Sequence, residues 1–417
     1  MKILFAHQSF PGQFLRLCGA LVQQGGHELV FMGRDNGNEI PGLQRVFYEP
    51  IGESPEGTHF AVTELEKAVR MGDMAARKAA ELKARGFIPD IIVGHTAWGE
   101  MMFLRDIYPD VPILSMFEFF YRPNQADSGF DPEFPLPDRH FIRARIKNTT
   151  NLVGWTTTDW GITATEWQRS TYPVSMQSRI SVIHEGIATE YLKPKPEQRV
   201  RLEDGRTIGV GDEVITFVAR DLEPYRGFHI LMRALPEILR RRPNAVVAIV
   251  GGNGVSYGRM HASGKSWREI MLEQVRGLDP RRVWFLGQIS FSQLVSLLRV
   301  SAVHLYWTYP FILSWSMLEA MSCGCALVAS RTPPVEEVVR DGHNGLLVDF
   351  FDIDSLVKTV TRVLAYPSQM VELRKAARQT ILDRYDFKNH SLPQMMTLME
   401  QLIQRREPTI GVKPVAV

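Results

Sequence analysis

Short apolar runs alternate with amphipathic stretches along nearly the whole chain. KILFAH (2–7) reads as a strand buried on both faces, and residues 14–24 read as a helix stopped by Gly25-Gly26. HELVFMG (27–33), PDIIVGH (89–95), VPILSMF (111–117), WGITAT (160–165) and ISVIHEG (180–186) extend the strand series, and a long helical pattern covers 64–83. A second series follows: VITFVAR (214–220), a helix over 227–241, AVVAIVGG (245–252), RVWFLG (282–287), AVHLYW (302–307) and CALVAS (325–330). Apolar strands separated by helices predict parallel sheets covered on both faces, whose ligands sit beyond the carboxyl ends of the strands.

Two stretches break this rhythm. Residues 118–151 are rich in aromatics, Pro and Asp, then turn basic at Arg139, Arg143, Arg145 and Lys147; so long an irregular connection points to function or mobility. Residues 192–212 shift to Pro, Lys, Glu and Gly and read as an interdomain linker or an edge hairpin. The expected division is therefore 1–188 and 189–389, two doubly wound α/β halves. A last helix within 390–408 is expected to pack back on the first half, and the tail after it to fray.

The 417 residues suffice for two or three domains, and 45% apolar with 23% charged content excludes wholesale disorder. Forty-eight basic against 46 acidic residues leave a net +2, too balanced to predict a nucleic-acid partner. Cys18, Cys323 and Cys325 cannot build a disulfide framework, and Cys323-Gly-Cys325 lacks the spacing of a zinc site. Buried thiols in a reducing cytosol are expected instead. MKILFA is too short for a signal peptide and no run approaches a membrane span, which predicts a soluble, cytoplasmic protein.

Three stretches carry candidate chemistry. In YPFILSWSMLEAMSCGCALVAS (309–330) a loop enters a helix near Ser314–Ser316 that carries Glu319. Its open N–H groups suit a phosphate and the carboxylate a ribose diol; the alternative makes Ser314 an ordinary cap and Glu319 a solvated residue. In RDLEPYRG (220–227), Arg220 and Arg226 on one loop could neutralise a diphosphate, or could be solvated surface arginines. VGGNG (250–254) is a glycine-rich strand exit, not a dinucleotide fingerprint, because the last position of that register from Gly252 is Tyr257.

KILFAHQSFPGQF, PDIIVGHTAW, ISVIHEGIATEYLKP, ARDLEPYRGF, VWFLGQIS, LEAMSCGCALVAS and TPPVEEVVRDGHNGLLV follow one another in an order that resembles glycosyltransferase family 4 over nearly the whole chain. The resemblance implies the GT-B fold, two Rossmann-like parallel-sheet domains facing across a cleft, acceptor side first and donor side second. It implies transfer of a sugar from a UDP- or GDP-sugar to a hydroxyl of a saccharide or lipid-linked acceptor, retaining and metal-independent, with no cofactor. Arg220 and Arg226 stand where the family holds the donor diphosphate, so losing Arg226 is expected to hurt turnover far more than stability. His95 ends the family's strand, and Glu118 stands beside it as the fourth implied catalytic group. Gly12, Gly252, Gly254, Gln288, Ile289, Phe311, Ser314, Trp315, Ser316 and Glu319 are the implied nucleotide and donor positions, with Glu319 on the ribose.

Three departures from the family pattern bear on the sugar. Phe311 stands where the first glutamate of E-x7-E belongs, Glu118 where an active-site His is usual, and Arg226 where a Lys is usual. Glu118 reads as an acceptor-positioning group or base, a ligand of a donor hydroxyl, or a structural partner of Arg122. His95 reads as a site residue or a satisfied core histidine. The aromatics of 117–134 suit stacking on sugars, a lipid groove, or a small core. The run 139–147 suits anionic headgroups at the inner membrane face, an acidic saccharide, or plain solvation. Two other functions share the fold: nucleotide-sugar 2-epimerisation, and binding of a sugar nucleotide without turnover.

Overall fold

The computed structural model describes residues 1–49, 52–124, 126–202 and 205–412. The chain forms two compact units, one of residues 1–186 and 387–417 and the other of residues 187–386. In the first unit seven strands make one parallel sheet: β1 (Lys2–Ser9), β2 (Glu28–Arg34), β3 (Gln44–Phe47), β4 (Ile91–His95), β5 (Ile113–Met116), β6 (Trp160–Thr163) and β7 (Ile180–Val182). Their order is β3-β2-β1-β4-β5-β6-β7, so the sheet reverses direction of growth between β1 and β4. That switch point opens a crevice at the carboxyl ends of these two strands. His7 and Ser9 leave β1 there, and His95 ends β4.

Alternate residues of β1 feed two cores. Ile3 and Phe5 join α1 (Leu15–Gln24) and the closing helix, with Leu398, Met399 and Leu402 on that side. Leu4 and Ala6 join Met71, Ala75 and Ala79 of α2 (Thr63–Ala84) on the other. The small residues of α2 let that helix lie close to the sheet. The closing helix, Leu392–Ile403, belongs by its contacts to the first unit.

The second unit repeats the logic. A small antiparallel hairpin of β8 (Arg199–Arg201) and β9 (Thr207–Gly209) precedes its sheet, which settles the 192–212 stretch as a hairpin. The parallel sheet contains β10 (Val214–Asp221), β11 (Val246–Gly252), β12 (Val283–Gly287), β13 (Val303–Tyr306), β14 (Ala326–Ser330) and β15 (Leu346–Val348). The order β12-β11-β10-β13-β14-β15 puts the switch point between β10 and β13. Gly227, at φ +67°, turns the chain into the helix Phe228–Arg241; a Cβ there would lie 2.3 Å from Trp307 Cβ. Only glycine lets that helix start against the exit of β13.

Several expectations need correction. The irregular stretch does not reach 151, because helices occupy His140–Ile146 and Thr149–Thr157. Asn148 and Asn151 anchor it: Asn148 exchanges hydrogen bonds with the Tyr121 backbone, and Asn151 donates to the Phe119 carbonyl at 2.9 Å. Most of the basic run is engaged by the protein rather than simply solvated. Arg139 lies over Phe60 at 5.1 Å, Arg143 pairs with Glu64, and the Lys147 ammonium sits 4.0 Å from the Tyr121 ring centre. The tail does not fray at once: Ser181 Oγ donates to the Ile410 carbonyl and the Val182 N–H to that of Gly411. Its last residues, 413–417, lie outside the described residues.

Candidate active site

At the switch point of the first sheet, backbone N–H groups fix two imidazoles. The Ser9 N–H donates to His7 Nδ1 at 2.9 Å and the Ala97 N–H to His95 Nδ1 at 3.1 Å. Each ring therefore carries its proton on Nε2. The rings meet edge to face at 5.4 Å, and the Trp98 indole packs on both, at 4.7 Å from His7 and 4.4 Å from His95. Gly12, at φ +53°, passes so close that a Cβ would fall 2.4 Å from the His7 ring. Burial, with His95 adding to it, pushes the His7 pKa down to about 3, so the ring is neutral at physiological pH.

Glu118, just beyond β5, faces this pair. Gln13 Nε2 donates to its Oε1 at 3.0 Å, and His95 Nε2 lies 3.7 Å from its Oε2, in ion-pair range but too long for a hydrogen bond. Burial alone would raise the Glu118 pKa; the His95 ring close by and the Gln13 donor reverse that and hold it below the ordinary carboxylate range. Arg122 does not take the structural role considered for it, since its Nε donates to the Thr171 carbonyl at 3.2 Å. His95 is fully buried, as a core histidine would be, yet its Nε2 has no hydrogen-bond partner among the described residues.

The second unit assembles its groups around Arg226. The guanidinium is buried, and Nη1 donates to Thr308 Oγ1 at 2.8 Å, the Ile312 carbonyl at 3.1 Å and Tyr306 Oη at 3.3 Å. Tyr306 Oη also accepts the Ser314 N–H at 2.8 Å, immediately before the helix Trp315–Ser322. Ser314 caps that helix through the Ser316 N–H, and Ser316 Oγ reaches back to the Val218 carbonyl of β10 at 3.4 Å. Arg226 is thus no solvated surface arginine. Arg220 is exposed, and its side chain makes no ion pair or hydrogen bond among the described residues. The structure shows two different arginines, one built in and one available.

The acidic residues of the same loop organise the glycine exit. Asp221 accepts the Gly254 N–H at 3.0 Å and the Ser256 hydroxyl. Glu223, fully buried, takes three successive backbone N–H groups: Ser256 at 3.2 Å, Tyr257 at 3.0 Å and Gly258 at 2.7 Å. Gly252 and Gly254 border that cradle, and a Cβ on Gly252 would lie 3.2 Å from Gln288 Nε2. Ile289 packs with Val218 and Val250 in an apolar cluster. Phe311 enters an aromatic group, its ring 5.2 Å from those of Tyr225 and Tyr257. Trp315 is half-buried and Glu319 buried, so Glu319 is not a solvated helix residue.

Sequence reasoning missed His7, Gln13, Trp98, Asp221 and Glu223. It also missed Glu100, fully buried with its Oε1 bound by Tyr48 Oη at 2.7 Å, Oε2 unpartnered among the described residues, and its pKa raised by burial. The available signal was position: His7 follows a buried strand, as His95 does.

The family described as Glycosyl transferase family 4 group matches residues 25–192, and Glycosyl transferases group 1 matches residues 202–380. The chain is 29% identical over 233 residues to a GDP-mannose-dependent alpha-(1-6)-phosphatidylinositol monomannoside mannosyltransferase of Mycolicibacterium smegmatis, covering 53% of this chain and 56% of that protein. It is 26% identical over 209 residues to a D-inositol 3-phosphate glycosyltransferase of Kribbella flavida, covering 48% and 46%. The chain thus spans about half the length of the curated relatives it matches. Among solved structures, sucrose-phosphate synthase from Thermosynechococcus elongatus aligns with a TM-score of 0.73 at 17% identity, over 97% of this chain and 100% of the other. HepE of Anabaena with UDP and glucose aligns at 0.69 and 17%, over 96% and 100%.

Proposed function

Because the chain belongs to glycosyltransferase family 4 and has the GT-B fold, we propose that it transfers a sugar from a UDP- or GDP-sugar to a hydroxyl of a saccharide or lipid-linked acceptor, with retention. The observation that carries this reading is the web joining Arg226, Tyr306, Thr308 and Ser314, which fixes the start of the Glu319 helix at the carboxyl edge of the second sheet. Exposed Arg220 and the positive end of that helix, whose Ser314 and Ser316 N–H groups are held by Tyr306 Oη and Ser314 Oγ, offset the charge that grows on the departing diphosphate, without a metal. The bond from the anomeric carbon to the diphosphate oxygen breaks, its electron pair leaving with the diphosphate. The acceptor oxygen bonds the same face, and its proton passes to a diphosphate oxygen. Glu118 accepts a hydrogen bond from the incoming hydroxyl and orients it. Glu319 takes the ribose diol.

A thermal-shift series with UDP, GDP and their sugars tests the donor side. One nucleoside diphosphate should raise Tm in proportion to occupancy. Glu319→Ala should weaken that ligand about tenfold to a hundredfold, the equivalent of one charge-assisted hydrogen bond of roughly 1.5–3 kcal/mol. No shift with any nucleotide would end the reading, and turnover of a nucleotide sugar without acceptor would replace transfer by epimerisation.

A peripheral contact with the inner membrane face through 139–147, in an otherwise cytoplasmic protein, would fall chiefly to exposed Arg145 and Phe141. No helix among the described residues is long and apolar enough to cross a membrane. Arg145→Ala with Phe141→Ser should reduce flotation with anionic vesicles in a salt-sensitive way; equal flotation would dismiss the contact.

A further inference from the structure

We propose that Gln13 and His7 are positioning residues, a one-way hydrogen-bond chain that presents a donor to Glu118 Oε1 and leaves Oε2 open to a substrate hydroxyl. The polarity follows from the backbone. Because the Ser9 N–H occupies His7 Nδ1, the proton of that ring is on Nε2. The Gln13 atom 2.6 Å from Nε2 must then be the amide oxygen, so the amide nitrogen faces Glu118 at 3.0 Å. No alternative flip of Gln13 satisfies both neighbours. The same device on the other side, the Ala97 N–H on His95 Nδ1, turns the His95 Nε2 proton toward Oε2.

Glu118 therefore faces two donors whose directions are set by main-chain atoms, not by solvent. Its side chain keeps 22% exposure, which leaves room for a hydroxyl at Oε2. The other titratable groups around it are the Tyr121 and Tyr172 phenols, both pushed up by burial and neutral, and the neutral His7 ring. Among the described residues Gln13 gives the Glu118 carboxylate its side-chain hydrogen bond, with the His95 ring next nearest. The chain serves the hydroxyl-orienting part assigned to Glu118 above and rests on that reading only for its use.

The first test needs no substrate. Tm is measured from about pH 8 to 4 for the wild type, Gln13→Leu, Glu118→Gln and the double variant. A carboxyl held low contributes stability present above its unfolded value and lost as pH falls through its folded one. The Tm gap between wild type and Glu118→Gln should therefore close on acidification, and close at higher pH in the Gln13→Leu background. His7→Phe, which keeps the ring packing and loses the donor, should shift it the same way by less. A Tm loss in Gln13→Leu that is equal at every pH and in both Glu118 backgrounds overturns the proposal. The second test is release of nucleoside diphosphate from UDP-glucose or GDP-mannose, whichever raises Tm. Gln13→Leu should lower kcat by about tenfold, less than Glu118→Gln does, with donor KM unchanged; the reverse split counts against positioning. If Glu118→Gln keeps the wild-type rate while the pH cycle behaves as expected, the hydroxyl-orienting role fails and the chain stands.

Discussion

Arg226→Ala is expected to lower the melting temperature and the turnover together. The sequence alone suggests an arginine acting on the diphosphate, whose loss hurts turnover far more than stability. Burial changes that expectation. Inside the protein Thr308 Oγ1 and the Ile312 carbonyl lose this donor, while Tyr306 Oη keeps the Ser314 N–H. Each buried group left unpaired costs about 1–3 kcal/mol. A total near 4 kcal/mol corresponds to a Tm drop of roughly 10 °C for a unit of this size. Turnover should fall about 10²–10³-fold, since the same web fixes the helix start that faces the leaving charge. Arg226→Lys keeps the charge but, with a compact head, serves fewer of the three acceptors. It should recover part of the Tm and less of the rate. A lower Tm with unchanged kcat in the alanine variant would make Arg226 a structural anchor only. Arg220→Ala is the contrast: its side chain is exposed and unengaged among the described residues, so any rate loss there comes without a stability loss.

The strands were legible because parallel strands buried on both faces leave continuous apolar runs, as in KILFAHQS and VVAIVGG. QRVF at Gln44–Phe47 escaped notice because an edge strand is short and only half-buried. Leu346–Val348, three residues long, escaped for its length. The site was legible by position and illegible by connection. His95 and Glu118 stand out as polar residues ending apolar strands. Gln13 does not, because its importance lies in two hydrogen bonds, one spanning six residues and one spanning 105. In RDLEPYRG the choice between a diphosphate-binding pair and two solvated arginines is open from sequence, and the structure splits it: Arg226 and Glu223 are interior and Arg220 is exposed. Glu223 is buried because three backbone N–H groups of a loop thirty-odd residues later converge on it. Such convergence has no one-dimensional signature. Phe311, conspicuous as a departure from the family, is explained locally by the rings of Tyr225 and Tyr257 around it.

Glu118→Gln is expected to cost about tenfold to a hundredfold in kcat/KM, the equivalent of one charge-assisted hydrogen bond of roughly 1.5–3 kcal/mol to the reacting hydroxyl. The amide retains the size of the side chain and can still meet Gln13, so the fold should survive. If the lost contact is to the acceptor, acceptor KM or kcat moves and donor KM does not; a change confined to donor KM would place Glu118 on a donor hydroxyl instead. The pH profile separates charge from shape. Since Gln13 and His95 hold the Glu118 carboxyl below the ordinary range, the wild-type rate should be flat through neutrality and fall only as pH drops through that low value. In Glu118→Gln that acid limb should vanish, because no titrating group is left at the position. The family's usual residue makes the sharpest variant. A histidine in place of Glu118 accepts a hydrogen bond only when neutral, and its unperturbed pKa is about 6.5. Glu118→His should therefore bring the acid limb up toward neutral pH while supporting turnover above it. A wild-type limb near neutrality would show that some other group, not Glu118, sets it.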